Sequence, residues 1–250
     1  MIISLDARML LMGKSLLKSK DNLIGFCDLI NNFRSIVRSN LIYMALPERT
    51  VERLSEYRRS LLQCLEEGKT HIFSHELAEL HHNTAVQVRR DIMFIGYTSM
   101  QRKGYDVREL VEVIGNIIDS EKGLNVAVIG VGNLGKAVTT YFVGKRSRLN
   151  IIATFDVDTN KIDRVISGVK CYPLSRLKEV VKSHDISIAI MTVPADSAVE
   201  VAAQLVDAGI RGLMNFTTVP LNVPEEVYLD EYDMITSLEK VAYFVKSSRD

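Results

Sequence analysis

The apolar positions follow two different rhythms along the chain. From Pro47 onward, Val51, Leu54, Tyr57, Leu61 and Leu65 recur every three or four residues, the spacing of one apolar helix face. Pro47-Glu48-Arg49-Thr50 opens this predicted helix and Gly68 ends it. Ser74 then predicts an N-cap for a brief helix over 75–80, and His81-His82-Asn83 reads as a turn. Thr84 with Gln87 makes a T-x-x-Q capping box for a helix over 85–95, with Gly96 beyond its end. Helix, short turn, helix over 74–95 is helix-turn-helix spacing. In the second of these helices Val88, Ile92 and Ile95 face the core, while Gln87, Arg90 and Phe94 project outward. The polar loop 96–105, with its basic tip Gln101-Arg102-Lys103-Gly104, fits a hairpin wing. Asp106 and Glu109 cap one more helix, which carries Leu110, Val111, Ile114 and Ile118, and Lys122-Gly123 reads as a domain boundary.

After residue 123 apolar runs of strand length, 125–130, 150–155, 186–193 and 211–216, alternate with helical stretches. Fully apolar strands alternating with helices imply a parallel sheet covered on both faces. Residues 236–246 are helical again, with Leu238, Val241, Ala242 and Val245 as apolar positions. Residues 1–44 hold no proline and no sustained period, although 23–37 has helical spacing. Either 1–43 is a real appendage, or the start is Met44 and the upstream codons do not belong to the protein.

Composition narrows the class. At 250 residues, 47% hydrophobic and 25% charged, the chain builds one large domain or two small ones and is neither disordered nor fibrous. Basic and acidic residues balance at 31 each, so net charge selects no polyanionic partner. Their distribution is uneven: acids predominate after residue 105, and four of the five histidines (His71, His75, His81, His82) lie in 45–105. The middle segment is therefore better placed to meet an anion. Cys27, Cys64 and Cys171 are far apart and form no metal-binding spacing, as expected of reduced thiols in a cytoplasmic protein without a metal site. No apolar run reaches the roughly 18 residues of a membrane span, and Asp6 and Arg8 make the N-terminus a poor signal peptide.

The strongest local motif is Gly130-Val131-Gly132-Asn133-Leu134-Gly135, which follows the apolar strand 126–129 and opens a helix. Gly130 permits a tight turn, Gly132 admits a pyrophosphate to the backbone, and Gly135 lets helix and strand pack closely. The helix start offers free N–H groups to phosphates. The second strand ends in Asp156, 21 residues past Gly135, where an acidic residue receives the adenosine ribose hydroxyls. A carboxylate there repels a 2′-phosphate, so NAD(H) is favoured over NADP(H). Other strand ends rim the same crevice at Thr192-Val193-Pro194 and Asn215-Phe216-Thr217. Asn215 is a candidate hydrogen-bonder to a carboxamide or ribose and Phe216 a candidate neighbour of a nicotinamide. The competing reading is a turn-forming Asn and a packed Phe. Catalytic groups are not apparent: His184 falls at a solvated helix-to-strand junction, and no Ser-x-x-x-Lys or Tyr-x-x-x-Lys lies near the crevice. The chain therefore reads as a non-enzyme whose nucleotide has nothing to reduce. Gln87, Arg89 and Arg90 are either a solvated helix face or, joined to a basic wing and a ligand-binding domain, a DNA-contacting one.

Taken together these stretches resemble the Rex family of redox-sensing transcriptional repressors, over about residues 47–244. The resemblance rests on Thr84-Ala85-Val86-Gln87-Val88-Arg89-Arg90-Asp91, Gly104-Tyr105-Asp106-Val107, Val128-Ile129-Gly130-Val131-Gly132-Asn133-Leu134-Gly135 and Phe155-Asp156-Val157-Asp158. It extends to Thr192-Val193-Pro194-Ala195, 208–212, Asn215-Phe216 and Ala242-Tyr243-Phe244. It implies an α/β protein with an N-terminal winged helix-turn-helix domain, a doubly wound Rossmann domain and a C-terminal helix exchanged within a homodimer. The corresponding divisions are 1–44 (an extension with no family counterpart), 45–122 (winged helix and linker helix), 123–235 (Rossmann) and 236–250 (dimerisation helix). It further implies that NADH closes the dimer and releases double-stranded operator DNA, whereas NAD⁺ favours the DNA-bound form. Thr84, Gln87, Arg89, Arg90, Arg102 and Lys103 then form the DNA-contacting set, and Tyr105 couples the two domains. Ile95, Ser99, Arg102, Thr217 and Thr218 depart from the family pattern. They leave open a Rex-like paralogue that binds DNA without sensing NADH. The other alternative is a small NAD-dependent oxidoreductase or a nucleotide- or CoA-binding enzyme subunit.

Overall fold

The computed structural model describes residues 46–98, 103–120, 122–142 and 148–247. Residues 1–44 and the wing-tip residues Ser99 and Arg102 lie outside these. The chain divides into two compact units between Asp119 and Ser120.

The first unit runs α1 (Glu48–Glu66), β1 (His71–Ile72), α2 (Ser74–Leu80), α3 (Ala85–Phe94), β2 (Tyr105–Asp106) and α4 (Val107–Ile118). Its core gathers Leu54, Tyr57, Leu61, Ile72, Leu77, Val88, Ile92, Leu110 and Ile114. The buried stripe of α1 is Thr50, Leu54, Tyr57, Leu61 and Cys64. Val51 is exposed and Leu65 half-buried, so both sit at the margin of the expected stripe rather than in it. Beyond α1, Gly68 takes φ +80°, and the next N–H, that of Lys69, returns to the Cys64 carbonyl.

Local capping differs from expectation at α2. Ser74 is the first helical residue and Phe73 the cap, its N–H held by the Glu76 carboxylate at 2.7 Å. Ser74 Oγ instead accepts from Arg89 of α3 at 3.0 Å. At α3 the Thr84 hydroxyl oxygen accepts the Gln87 N–H at 3.1 Å, which is half of a capping box. The reciprocal half is missing because the Gln87 side chain donates to Asp91 at 2.8 Å. Gln87 is therefore half-buried, not outward-facing, whereas Arg90 and Phe94 are exposed.

The reason lies in Asp91, fully buried in α3. Its carboxylate accepts Arg53 Nε and Nη2, both at 2.7 Å, the Tyr57 hydroxyl at 3.1 Å and Gln87 Nε2. A buried carboxylate is tolerated only when its acceptor positions are filled. Burial and this carboxylate both drive the Tyr57 pKa up, so the phenol stays a donor.

The tip of the expected wing, 99–102, lies outside the described residues. Tyr105–Asp106 pairs antiparallel with His71–Ile72, not with 97–98. Gly104 precedes this strand at φ +90°, where any Cβ would strike the Ile72 carbonyl.

The second unit is a seven-stranded sheet in the order β5-β6-β4-β3-β7-β8-β9. The strands are β3 (Leu124–Ile129), β4 (Leu149–Asp156), β5 (Val165–Ile166), β6 (Val169–Pro173), β7 (Ile186–Met191), β8 (Gly212–Asn215) and β9 (Tyr228–Glu231). All neighbours are parallel except β5 and β6. The helices are α5 (Asn133–Phe142), α6 (Leu177–Ser183), α7 (Ala198–Asp207) and α8 (Met234–Ser247). The chain leaves β3 for β4 on one side and returns to β7 on the other, which creates a switch point at the carboxyl ends of these strands. One sheet face packs Ala127, Ile129, Phe155 and Met191 with α6 and α7; the other packs Val126, Val128 and Ile190 with Val138 and Phe142 of α5. In α8 every described side chain is exposed, including Ile235, Leu238 and Val241. Among the described residues no helix is long and apolar enough to cross a membrane.

Replacing Asp91 by Ala leaves the Arg53 and Tyr57 groups without their acceptor. The expected loss is about 2–4 kcal/mol of stability in the first unit. Urea unfolding followed by far-UV circular dichroism checks it, and an unchanged midpoint would remove Asp91 as the clamp.

Candidate nucleotide crevice and DNA-facing helix

The three motif glycines meet three different physical demands. Gly130 lies at φ +87° and a side chain there would come within 2.8 Å of the Thr192 carbonyl oxygen. Gly135 is buried in α5, and a Cβ would collide with the Gly130 carbonyl oxygen. Gly132 faces open space, with no heavy atom within 4 Å of an added Cβ. That is the cradle a pyrophosphate needs beside the start of α5, where Asn133 is exposed and Leu134 half-buried.

The loop is held from two sides. Val131 is buried, and its N–H donates to Asp156 Oδ2 at 2.8 Å. The Thr192 hydroxyl is shared between the carbonyls of Gly130 at 2.7 Å and Ile129 at 3.1 Å, so Thr192 acts first as a brace. Asp156 also accepts the Asp158 N–H at 2.9 Å and the Lys161 ammonium at 2.9 Å. Burial opposes ionisation of Asp156, but the Asp158 N–H, the Lys161 ammonium and the Val131 N–H outweigh it and lower its pKa. The Lys161 pKa rises chiefly through its bond to Asp156. The site is therefore a carboxylate and an ammonium, both charged at neutral pH.

A cavity of about 460 Å³ opens above these groups. Its lining includes Gly130, Gly132 and Asp156, the strand-end residues Thr192, Val193 and Pro194, and the apolar Leu174 and Val201. An apolar slot next to a carboxylate and an open glycine turn suits a flat base, a ribose and a diphosphate.

Two expected contributors do not line this crevice. Asn215 is fully buried, and its polar atoms serve its own turn. Its Oδ1 accepts the Thr217 N–H at 2.9 Å and the Thr217 hydroxyl at 2.8 Å, while Nδ2 donates to the Val219 carbonyl at 2.9 Å. Phe216 packs with the Val126–Val128–Ile190 cluster on the opposite sheet face and stacks on Tyr232 at 5.3 Å. In this chain the amide of Asn215 serves its own turn and Phe216 packs on the sheet. Lys161, Leu174 and Val201 were not singled out from sequence. Lys161 had a faint signal, a base five residues past the ribose-directed acid.

On α3, Arg89 and Arg90 are exposed beside Val86, Met93 and Phe94, and together they line a shallow groove of about 500 Å³. Arg89 is partly committed to Ser74, Thr84 to capping and Gln87 to Asp91; Arg90 shows no such tie among the bonds above. Lys103 is exposed, and Arg102 lies outside the described residues. Tyr105 is half-buried with its ring 6.1 Å from Tyr97. Burial raises the Tyr105 pKa against the opposing charge of Arg89. Tyr97 donates to Glu109 at 2.9 Å, and burial with that carboxylate pushes its pKa up to about 12.

Both units have relatives. Residues 45–92 match the family described as putative DNA-binding protein N-terminus, and residues 121–219 match the CoA binding domain family. The redox-sensing transcriptional repressor Rex of Lactobacillus acidophilus is 37% identical over 205 residues, covering 82% of this chain and 97% of that protein. Among solved structures, RSP, a Rex-family repressor, is similar in its complex with β-NAD⁺ and operator DNA, with 30% identity, TM-score 0.77, and coverage of 82% of this chain and 95% of that one. Its complex with β-NADH gives 30% identity, TM-score 0.73, and coverage of 82% and 97%. The similarity spans the helix-turn-helix unit and the doubly wound sheet together, and this chain belongs to the Rex family of redox-sensing transcriptional repressors.

Proposed function

We propose that this chain is a homodimeric repressor that binds double-stranded operator DNA through α3 and the wing, takes NAD(H) in the crevice, and releases DNA when NADH binds. The observation that carries the reading is the glycine turn tied to Asp156, open only at Gly132, in one chain with a helix that exposes Arg90. The RSP complexes with NAD⁺ plus operator DNA and with NADH support the same pair of ligands. Gly130, Gly132, Asp156, Val193 and Pro194 hold the dinucleotide, with Val131, Gly135 and Thr192 shaping the loop. The dinucleotide brings a nicotinamide in either redox state, and the protein reads that state without performing a reaction. It is a regulator, not an enzyme, and acts in the cytoplasm. The exposed apolar side chains of α8 suit exchange with a second subunit. Similarity to CoA-binding domains is accounted for by the adenosine diphosphate that CoA shares with NAD.

Sensing requires differential affinity. NADH must bind the DNA-free form more tightly, and DNA must disfavour the NADH-bound form by the same factor. An operator-binding titration across NADH:NAD⁺ ratios tests this directly. Loss of operator binding as NADH rises is expected; operator binding indifferent to the ratio would leave a non-sensing paralogue, and turnover of NADH with carbonyl substrates would point to an oxidoreductase.

Five outcomes follow from this reading. Asp156 should make NADH bind much more tightly than NADPH in calorimetry, and Gly132→Val should abolish NADH binding by filling the cradle. Arg90→Ala should cost roughly 1–3 kcal/mol of operator affinity and relax preference at one base pair, because a bidentate guanine contact is lost. Lys103→Ala should instead weaken all sequences alike and lower the salt slope. Tyr105→Phe should leave each ligand's own affinity near normal while reducing the NADH effect on DNA. A coupling loss of ~1 kcal/mol is about fivefold in the NADH-induced drop, and an unchanged drop would clear Tyr105.

A further inference from the structure

Lys161 lines the crevice and sits on a turn closed by its own hydrogen bonds. Its N–H and that of Ile162 return to the Asp158 carbonyl at 2.9 and 3.2 Å, and the Asn160 N–H returns to the Asp158 carboxylate at 2.9 Å. The turn holds the ammonium 2.9 Å from Asp156 Oδ2 and 3.7 Å from Asp158 Oδ2. The second distance is an ion pair too long for a hydrogen bond. Lys161 also lines the cavity, with 27% of its side chain exposed.

Counting donors and acceptors limits what Asp156 can do alone. A carboxylate offers about four acceptor positions. Three are filled by the Val131 N–H, the Asp158 N–H and the Lys161 ammonium. One position remains for a ribose that presents two hydroxyls. The ammonium has three N–H groups, of which one is committed to Asp156.

We infer that Lys161 is the second ribose-recognising residue: Asp156 accepts from one ribose hydroxyl and the Lys161 ammonium donates to the oxygen of the other. This deepens the proposed function and rests on its placement of the adenosine ribose. It makes nucleotide selectivity a property of the pair. Beside Asp156 and Asp158 the lone ammonium leaves a net negative edge, which rejects a 2′-phosphate. Without Asp156 the same ammonium becomes an anion site at the place where that phosphate would sit.

Calorimetry on the full-length protein with NADH and NADPH tests this in four variants. K161M should weaken NADH binding about tenfold, the scale of one hydrogen bond from a charged donor, and K161R should restore most of it. D156N, whose amide oxygen can still accept the Val131 N–H, should raise NADPH affinity above that of the wild type, and D156N/K161M should abolish the gain. A lysine that merely propped Asp156 would leave the D156N gain intact when Lys161 is removed, and that result overturns the inference. So does K161M binding NADH as the wild type does. Wild-type protein that binds neither dinucleotide would instead overturn the proposed function, and this inference with it. Operator binding by each variant without nucleotide reports that the fold is intact.

Discussion

The bond from the Val131 N–H to the Asp156 carboxylate connects two strand ends that are 25 residues apart, and the crevice depends on it. The glycine turn has few side chains with which to fix its own shape. Its geometry is imposed from outside, by Asp156 on one flank and by the Thr192 hydroxyl on the other. The parallel pairing of β3 with both β4 and β7 puts those two braces on opposite sides of the loop. Asp156 therefore holds the glycine turn and, under the proposed function, would face the ribose with the same group. Its folded pKa lies below the ordinary value, so its contribution to stability is present above the usual carboxylate range and is lost as pH falls through the lowered pKa.

A second buried carboxylate organises the other unit by the same rule. Asp91 has all its acceptor positions taken by Arg53, Tyr57 and Gln87, and so ties α3 to α1. Removing either carboxylate strands donors that were buried to meet it. The two sites differ in what they leave over. Asp91 is closed to any ligand, whereas Asp156 keeps a single acceptor position toward a cavity.

The periodicities were enough to read the two-unit plan, because helix faces and apolar strands are local patterns. So were the glycine turn itself and the place of Asp156 at the end of the second strand, because the motif carries its own strand–turn–helix context. Legibility failed where a side chain's partner is distant in sequence or its exposure depends on packing. Nothing in Thr84-x-x-Gln87 says that a carboxylate one turn later will capture the glutamine. Asn215 and Phe216 occupy a strand end, yet a hydroxyl at Thr217 draws the amide inward and the sheet's opposite face takes the ring. Strands β6 and β9 are short and carry Lys170, Pro173, Asp230 and Glu231, so they lack the apolar run that marked the central strands. The wing strand pairs with residues before the helix-turn-helix, a partner that no hairpin rule selects.

These two clamps constrain how a nucleotide signal can reach DNA under the proposed function. Allosteric coupling between ligands is typically 1–3 kcal/mol. Dismantling the Asp91 network means breaking several buried and part-buried bonds to one buried carboxylate, at about 1.5–3 kcal/mol each. An effector with that coupling energy does not melt α3 or turn Gln87 outward. Under that proposal α3 would move as a rigid piece, and the energy difference between states would reside in contacts that are easily exchanged. Tyr105 has the required character: half-buried, ring against Tyr97, and next to Gly104, whose left-handed backbone no other residue adopts cheaply. Arg90 would keep its exposure in such a scheme.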